Sequence, residues 1–293
     1  MSAGKPPAWL KVKLRKHELS RETAERLSRY GVHTVCANAR CPNIGECYGC
    51  GTATFLIMGE TCTRDCAFCA VSHGAPAPLD PTEPGRVAAA AAELSLSHVV
   101  ITSVTRDDLP DGGSEHFAAA IAAIRDRLPD ASVEVLIPDF GGDEASVETV
   151  VRARPDVLNH NLETVRRLQQ VIRPSASYAT SLAVLRHAKR VDPHIATKSG
   201  LMLGLGETID EVHEAIRDLR DVGCDLLTLG QYLRPSPRHA AIERYVHPDE
   251  FEALRGAAIS MGFRHCASGP FVRSSYNAAL AAELLRAERW EMQ

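Results

Sequence analysis

The chain has 293 residues, a formal net charge of −4 and a pI near 6.3, a balance that argues against a general nucleic-acid-binding protein. Its apolar runs are too short to cross a bilayer, and residues 1–30 are charged and lack a signal-peptide core, so we expect a cytoplasmic protein with no membrane partner. A chain of this length can bury a large core, and we expect one domain with extensions.

The N-terminal residues contain a basic arm followed by a predicted helix. The arm covers residues 5–13, and we expect it to wrap over the protein with Trp9 as a candidate anchor. The helix is predicted over Ser20–Arg29, because Ser20 is a good N-cap and two glutamates follow it near the positive end of the helix dipole.

The most informative stretch is residues 36–69, which holds seven of the nine cysteines. Six of these form two triplets, C-x4-C-x5-C at Cys36, Cys41 and Cys47 and C-x3-C-x2-C at Cys62, Cys66 and Cys69. Small secreted proteins spread cysteines through the whole chain, which disfavours disulfides here. Thiolates at this density are ligands for soft metals, and two groups of three predict two sites, each one protein ligand short of four.

From residue 52 onward, short runs rich in valine, isoleucine and leucine alternate with amphipathic segments of helical length. Strands are predicted at residues 54–58, 98–102, 133–137, 157–159, 196–203 and 226–229, and helices near 82–96, 114–128, 143–153, 163–171, 177–191 and 208–222. Such alternation implies parallel strands with right-handed crossovers.

About six strand–helix units are fewer than the eight of a closed TIM barrel. We therefore predict an α/β fold, a partial, open (β/α)6 TIM-type barrel at residues 52–240 with an N-terminal extension at 1–51 and a C-terminal extension at 241–293. A seventh strand is predicted near residues 263–267, before a final helix at about 277–290.

Polar residues follow the predicted strands at their carboxyl ends. They are the Cys62–Cys69 loop, Ser103 with Arg106, Asp107 and Asp108, Pro138 with Asp139, Asn161 and Glu163, the segment 204–207, and Gln231. In parallel α/β folds the ligand binds at this end of the strands, so these groups should ring one mouth. Their convergence favours an active site over a scaffold.

Spacing alone leaves two metals open for the second triplet. Zinc would take four tetrahedral ligands, or three and a water molecule. A [4Fe–4S] cluster held by three thiolates would leave one iron free for a substrate or cofactor. However, C-x3-C-x2-C after the first strand of an α/β barrel, with Phe68 just before the third cysteine, resembles the radical S-adenosylmethionine (SAM) enzymes, in which the open iron binds SAM.

The rest of the chain resembles the lipoyl synthase family. The matching segments are residues 36–47, 51–55, 101–108, 159–163, 198–208, 231–239 and 269–276. The resemblance as a whole runs from about Lys5 to Tyr276 in one register. The resemblance implies a radical SAM sulfurtransferase that inserts two sulfur atoms, at C6 and C8, into a protein-bound octanoyl-lysine group and consumes one SAM for each sulfur.

The resemblance also implies the cofactors, two [4Fe–4S] clusters and SAM. Cys62, Cys66 and Cys69 would hold the cluster that binds SAM, and Cys36, Cys41 and Cys47 an auxiliary cluster that gives up its sulfide. A serine of the Arg-Ser-Ser-Tyr motif would be the fourth ligand of the auxiliary cluster, and of Ser274 and Ser275 we choose Ser275. An oxygen ligand is displaced more readily than a thiolate, which suits a sacrificial cluster. Apart from the resemblance, the two serines would indicate a helix N-cap.

Further residues are candidates for SAM contacts. They are Gly204, Gly206 and Glu207 in a loop after the fifth strand, Asn161 and Glu163 after the fourth, Arg173 for the carboxylate of SAM, and Phe68 for its adenine. A glycine pair alone would indicate a turn, and Glu163 would equally suit the first turn of a helix.

The remaining cysteines are not expected to bind metal. Cys50 is not a position that the family needs, and Cys224 and Cys266 are predicted to be buried core thiols. Two rival hypotheses stay open, another radical SAM enzyme of the biotin-synthase-like or methylthio-transferring kind, and a zinc-binding scaffold without catalysis.

The resemblance also implies protein partners. They are octanoylated lipoyl domains of 2-oxoacid dehydrogenase E2 subunits or the glycine-cleavage H protein, a flavodoxin- or ferredoxin-type electron donor, and an iron–sulfur carrier protein. Arg234, Arg238, His239 and Arg244 form a basic cluster that could dock the acidic carrier, although such clusters are usually solvated surfaces.

Overall fold

The fold is built on one eight-stranded sheet in a computed structural model that describes residues 5–10, 17–38, 41, 43–49, 53–276 and 278. The strands are β1 (His33–Thr34), β2 (Thr54–Ile57), β3 (Thr61–Cys62), β4 (Ser72–His73), β5 (His98–Ser103), β6 (Ser132–Leu136), β7 (Val157–Asn159), β8 (Ala196–Leu203), β9 (Leu226–Gln231) and β10 (His265–Gly269). Strands β3 and β4 form a small separate parallel ladder, and the other eight join the sheet in chain order.

Helices connect the strands of the sheet. They are α1 (His17–Arg29), α2 (Val35–Asn38), α3 (Ile44–Gly49), α4 (Glu83–Glu93), α5 (Ser114–Arg127), α6 (Glu144–Arg152), α7 (Gln169–Ile172), α8 (Tyr178–Val191), α9 (Ile209–Asp221) and α10 (Pro248–Ser260). Short 3-10 turns cover Ala8–Leu10, Phe140–Gly142 and Arg166–Leu168.

The predicted partial, open barrel is confirmed. From β2 to β10 the neighbouring strands of the sheet are parallel, and β1 pairs antiparallel with β2 at one edge. The order ends at β1 and β10, which do not pair with each other in the described residues, so the barrel stays open. The predicted seventh strand is present as β10.

Two predicted helix starts are wrong. Helix α1 begins at His17, so Ser20 lies inside the helix and is not its N-cap. No helix begins at Glu163, whose φ of 68° is left-handed and which forms a β-bridge with Leu201 instead. This bridge extends the pairing of β7 with β8 by a few residues, and the helical turns start only at Arg166.

The proposed domain boundaries at residues 51 and 240 stay a prediction. Strands β1 and β10 lie outside these boundaries, and both join the same sheet as the central strands. The predicted final helix at 277–290 lies outside the described residues apart from Ala278. At the other end, Trp9 packs edge-on against His247 with ring centroids 4.9 Å apart, in agreement with its predicted anchoring. In the part of the chain that the structure describes, every helix is too short or too polar to cross a bilayer.

Side chains of the sheet alternate between two buried faces. On β6, Val133 and Val135 join the main core under the helices, where they pack with residues such as Phe117 and Ile121. Glu134 lies between them in sequence and points to the opposite face, inside the curved sheet. The inside of the barrel is therefore partly polar, unlike the core beneath the helices.

A buried ion pair occupies this inner face near the amino ends of the strands. Lys198 Nζ lies 2.8 Å from Glu134 Oε1, and both residues are almost fully buried. Asn159 Nδ2 donates to the same carboxylate oxygen at 3.3 Å, and His98 Nε2 lies 3.6 Å from the other. Burial opposes ionisation of Glu134, but Lys198 and His98 outweigh it and lower the pKa of the carboxyl to about 2.

Removing one partner of this pair should be costly. We expect Lys198→Met to lower the free energy of unfolding by about 3–5 kcal/mol, because it leaves Glu134 buried without a cation, and Glu134→Gln in the same chain to restore much of the loss. The stabilisation from ionised Glu134 is present above pH 4.5 and is lost as the pH falls toward 2, since the folded-state pKa is depressed. Urea unfolding of the metal-free protein at several pH values measures both effects; equal stability of Lys198→Met and the parent would contradict the argument.

Candidate active site

A cavity of about 550 Å³ opens at the carboxyl ends of the strands. Both cysteine triplets line it, with Phe68, Asn161, Glu163, Arg173, Ser274 and Ser275. Of the strand-end groups predicted to ring one mouth, Ser103, Pro138 and Gln231 line it as well. The sequence-predicted residues therefore meet in one place, except for a group that lies outside the cavity lining: Arg106, Asp107, Asp108, Asp139 and the segment 204–207.

Two short helices carry the first triplet. Cys36 lies in α2, Cys47 lies in α3, and the amide of Cys41 donates to the carbonyl of Cys36 at 3.0 Å. Asn43 Nδ2 donates to the carbonyl of Phe271 at 2.7 Å and so binds this segment to the C-terminal part of the chain. This is the meeting of the two ends of the chain that a serine ligand from the Arg-Ser-Ser-Tyr motif requires.

The second triplet lies on a loop held by backbone contacts. Cys62 Sγ accepts from the amides of Arg64 at 3.4 Å and Thr105 at 3.3 Å. The amide of Ala67 donates to the carbonyl of Ile172 at 2.9 Å, and the carbonyl of Ala67 accepts from the amide of Ala240 at 2.8 Å. The loop is thus attached to three separate parts of the barrel mouth.

The cysteines of both triplets fit iron–sulfur ligation. Burial raises the pKa of the Cys36 and Cys66 thiols, and raises that of Cys69 to about 12. Buried thiols of this kind need a cation before they ionise, and iron would supply one and displace their protons. The amides that point at Cys62 Sγ are the hydrogen bonds that stabilise a metal-bound thiolate.

Polar groups beside the second triplet suit a charged ligand such as SAM. Asn161 Nδ2 donates to Glu163 Oε1 at 3.0 Å, while Asn161 Oδ1 and the hydroxyl of Ser103 are buried and have no hydrogen-bond partner in the described residues. Burial raises the pKa of Glu163, and Arg173 and Asn161 oppose that rise only in part. Arg173 is fixed by bonds from Nη1 to the carbonyls of Asn161 and Leu162, at 3.2 and 3.3 Å.

The loop at residues 204–207 lies outside the cavity lining. Glu207 accepts from the amides of Gly204 at 2.6 Å and Leu205 at 2.9 Å, so its carboxylate is bound within its own loop. A Cβ at Gly204, where φ is 98°, would lie 2.2 Å from Gln231 Nε2 and 2.5 Å from the carbonyl of Arg244. This glycine admits protein groups, and contacts of Gly204, Gly206 and Glu207 with SAM stay a prediction.

Sequence reasoning missed several supporting residues. Asn43 follows Cys41 by two positions, and a cysteine-based motif gives it no role. His239, predicted only as part of a surface cluster, donates from Nε2 to the carbonyl of Cys69 at 2.9 Å. Cys224 and Cys266 are buried core thiols as predicted, whereas Cys50 lies outside the described residues.

Comparison with known proteins agrees with this geometry. Residues 56–219, more than half of the chain, match the model of the Radical SAM superfamily, so the chain belongs to that superfamily. The fold is shared with methylornithine synthase, at a TM-score of 0.56 and 14% identity over 85% of this chain and 71% of that one.

Closer relatives narrow the class. The lipoyl synthase of Caldanaerobacter subterraneus subsp. tengcongensis is 54% identical over 280 residues, 96% of this chain and 98% of the relative. That of Symbiobacterium thermophilum is 55% identical over 272 residues, 93% of this chain and 85% of the relative. The chain belongs to the lipoyl synthase family.

Proposed function

We propose that this chain inserts two sulfur atoms, at C6 and C8, into an octanoyl group carried on a lysine of another protein, and so forms the lipoyl cofactor. The observation that carries the proposal is the lining of a single cavity by both cysteine triplets and by the two serines of the C-terminal motif. When bound, the two [4Fe–4S] clusters and SAM supply the 5′-deoxyadenosyl radical and the sulfur. Cys62, Cys66 and Cys69 would hold one cluster, and Cys36, Cys41, Cys47 and Ser275 the other.

The chain's own contribution is to place an alkyl chain and exclude water. Leu56, Val71, Val104, Leu136 and Val272 supply apolar surface to the cavity. Burying the octanoyl group against such surface is worth about 0.8 kcal/mol for each methylene. An unactivated carbon offers no polar handle, so specificity for C6 and C8 must come from how the cavity positions the chain between the two triplets.

The two serines differ in a way that supports Ser275 as the ligand. The hydroxyl of Ser274 is bound by Asn161 Nδ2 at 2.6 Å, which is the same amide that contacts Glu163. Ser274 is thereby engaged on the side of the cavity where SAM is expected. Ser275 lines the cavity together with Cys36, Cys41 and Cys47, and its hydroxyl is the better candidate for the fourth ligand.

Anaerobic turnover with an octanoyl-lysine peptide, SAM and a reductant tests the proposal. Mass spectrometry should show a lipoyl-lysine peptide, and the purified protein should be brown with about eight irons per chain. Formation of 5′-deoxyadenosine with a product other than the lipoyl peptide would instead support the other radical SAM hypothesis. A colourless, zinc-rich protein would falsify both.

Membership of the family means that the substrate is an octanoylated protein. We propose that it is a lipoyl domain of a 2-oxoacid dehydrogenase E2 subunit or the glycine-cleavage H protein, with a flavodoxin- or ferredoxin-type reductant and an iron–sulfur carrier protein as further partners. Of the predicted basic cluster, Arg244 pairs with Glu250 at 2.8 Å, and His239 binds Cys69. Arg234 and Arg238 stay exposed, and Arg234 also lines the cavity.

Charge reversal at these two arginines tests the docking role. We expect Arg234→Glu with Arg238→Glu to raise the apparent KM for octanoylated carrier protein about tenfold, because acidic carriers are steered by positive charge. For Arg238→Glu alone, the KM for a short octanoyl-lysine peptide should change little, because Arg238 lies outside the cavity lining. Arg217→Glu on the exposed face of α9 is the matched control. An unchanged apparent KM for octanoylated carrier protein would contradict the docking hypothesis.

A further inference from the structure

Arg64 lies between the first two cysteines of the second triplet and forms ion pairs with two carboxylates. Arg64 Nε and Nη2 donate to Asp107 Oδ2 and Oδ1 at 2.8 and 2.7 Å. Its Nη1 donates to Asp139 Oδ2 at 2.9 Å, and Nη2 lies 2.8 Å from Asp139 Oδ1. The side chain of Arg64 is only 9% exposed and that of Asp139 only 3%. Two edges of the guanidinium, Nε with Nη2 and Nη1 with Nη2, each bind a carboxylate.

The two carboxylates are themselves held at the barrel mouth. Asp107 follows β5, accepts from the Thr63 hydroxyl at 2.9 Å and donates its own amide to that hydroxyl at 3.1 Å. Asp139 follows β6 and accepts from the amide of Gly141 at 3.0 Å. The clamp formed by Arg64, Asp107 and Asp139 thus attaches the middle of the cysteine loop to the ends of two adjacent strands.

The position of the clamp relates it to metal binding more than to general stability. Arg64 is two residues from Cys62 and two from Cys66, and its own amide points at Cys62 Sγ. A shift of Arg64 would move both thiols and remove this hydrogen bond. Asp107 belongs to the segment 101–108 that resembles the lipoyl synthase family, yet it lies outside the cavity lining. Its role in the clamp is to bind Arg64.

We propose that Arg64 is a positioning residue, which through Asp107 and Asp139 sets the spacing of Cys62 and Cys66 for the cluster that binds SAM. The inference rests on the proposed function only in assigning a cluster to this triplet. Supports of metal ligands typically change affinity 10–100-fold when removed. Lysine can meet one of the two carboxylates at a time, so Arg64→Lys should have an intermediate effect.

The experiment compares Arg64→Gln, Arg64→Lys and the parent as full-length, anaerobically reconstituted proteins. We expect Arg64→Gln to release iron from one cluster to a chelator about tenfold faster, while iron at the other triplet is released as in the parent. The change that SAM causes in the electron paramagnetic resonance spectrum of the reduced protein should weaken, and the KM for SAM in cleavage without substrate should rise about tenfold. Arg125→Gln is the control, since Arg125 bonds Asp156 at 2.9 Å at the opposite end of the barrel.

The outcomes separate the two proposals. Iron release, spectrum and KM for SAM within about twofold of the parent would overturn the positioning role, and so would equal loss of both clusters with a lower Tm of the metal-free protein. If Arg64→Gln does not fold, Asp107→Asn, whose carboxylate is 42% exposed, removes half of the clamp and should show the same selective effect. A parent that cleaves SAM but forms no lipoyl peptide would contradict the proposed function alone.

Discussion

Replacing Cys66 with alanine will abolish SAM cleavage and lower the iron content from about eight to about four per chain. The thiol lines the cavity beside Phe68 and Glu163, and its burial means that only a bound cation can hold it as a thiolate. With one thiolate missing, two cysteines and SAM cannot hold the cluster against loss to solvent. Iron analysis and quantitation of 5′-deoxyadenosine measure the effect.

Cys224 provides the matched control for that experiment. It is fully buried, donates to the carbonyl of Leu226 at 3.3 Å and lies outside the cavity lining. Cys224→Ala should cost about 1 kcal/mol of stability through lost packing, yet keep the parent's iron content and SAM cleavage. Equal loss of iron in both variants would mean that the cysteine loop does not hold a cluster of its own.

Ser275→Ala is expected to keep SAM cleavage and to lose most of the sulfur insertion. A cluster held by Cys62, Cys66 and Cys69 would not depend on this hydroxyl, whereas a cluster at the first triplet would lose its fourth ligand. Ser275→Cys distinguishes ligation from packing, because thiolate is a stronger, softer ligand for iron. That variant should retain the iron and yet release sulfur more slowly than the parent, as seen in single-turnover mass spectra of the octanoyl peptide.

The neighbouring serine controls for local damage. Ser274→Ala removes the partner of Asn161 Nδ2, so its main effect should be a higher KM for SAM with both clusters retained. If Ser274→Ala loses sulfur insertion while Ser275→Ala does not, the fourth ligand was assigned to the wrong serine.

Strand positions could be predicted well where burial on both faces leaves an uninterrupted apolar run. β2 and β5 agree with the predicted strands to within one residue at one end, because parallel strands covered on both sides carry few polar positions. The helix at Glu163 could not be excluded in the same way. A glutamate before a helical pattern is a good helix start, but here the backbone pairs with Leu201 of β8 instead. That strand is 38 residues further along the chain, so only the folded sheet brings it beside Glu163.

The basic cluster shows a similar limit. Four basic residues in eleven positions suggest one surface, yet Arg244 binds Glu250 of α10 and His239 turns inward to the carbonyl of Cys69. Which cation is neutralised depends on the direction that each side chain takes after the turn. Charge counts along the chain cannot supply that direction.

By itself, the sequence determined the chemistry of this protein. Two cysteine triplets with their spacing, placed before and after the first barrel strand, indicate soft-metal sites, and the alternation of apolar runs with amphipathic segments indicates the open barrel that surrounds them. Only the tertiary structure decided which groups meet at those sites. Asn43 and Phe271 are 228 residues apart, and Arg64 and Asp139 are 75 apart, so their contacts exist only because the whole sheet curves and brings the strand ends together.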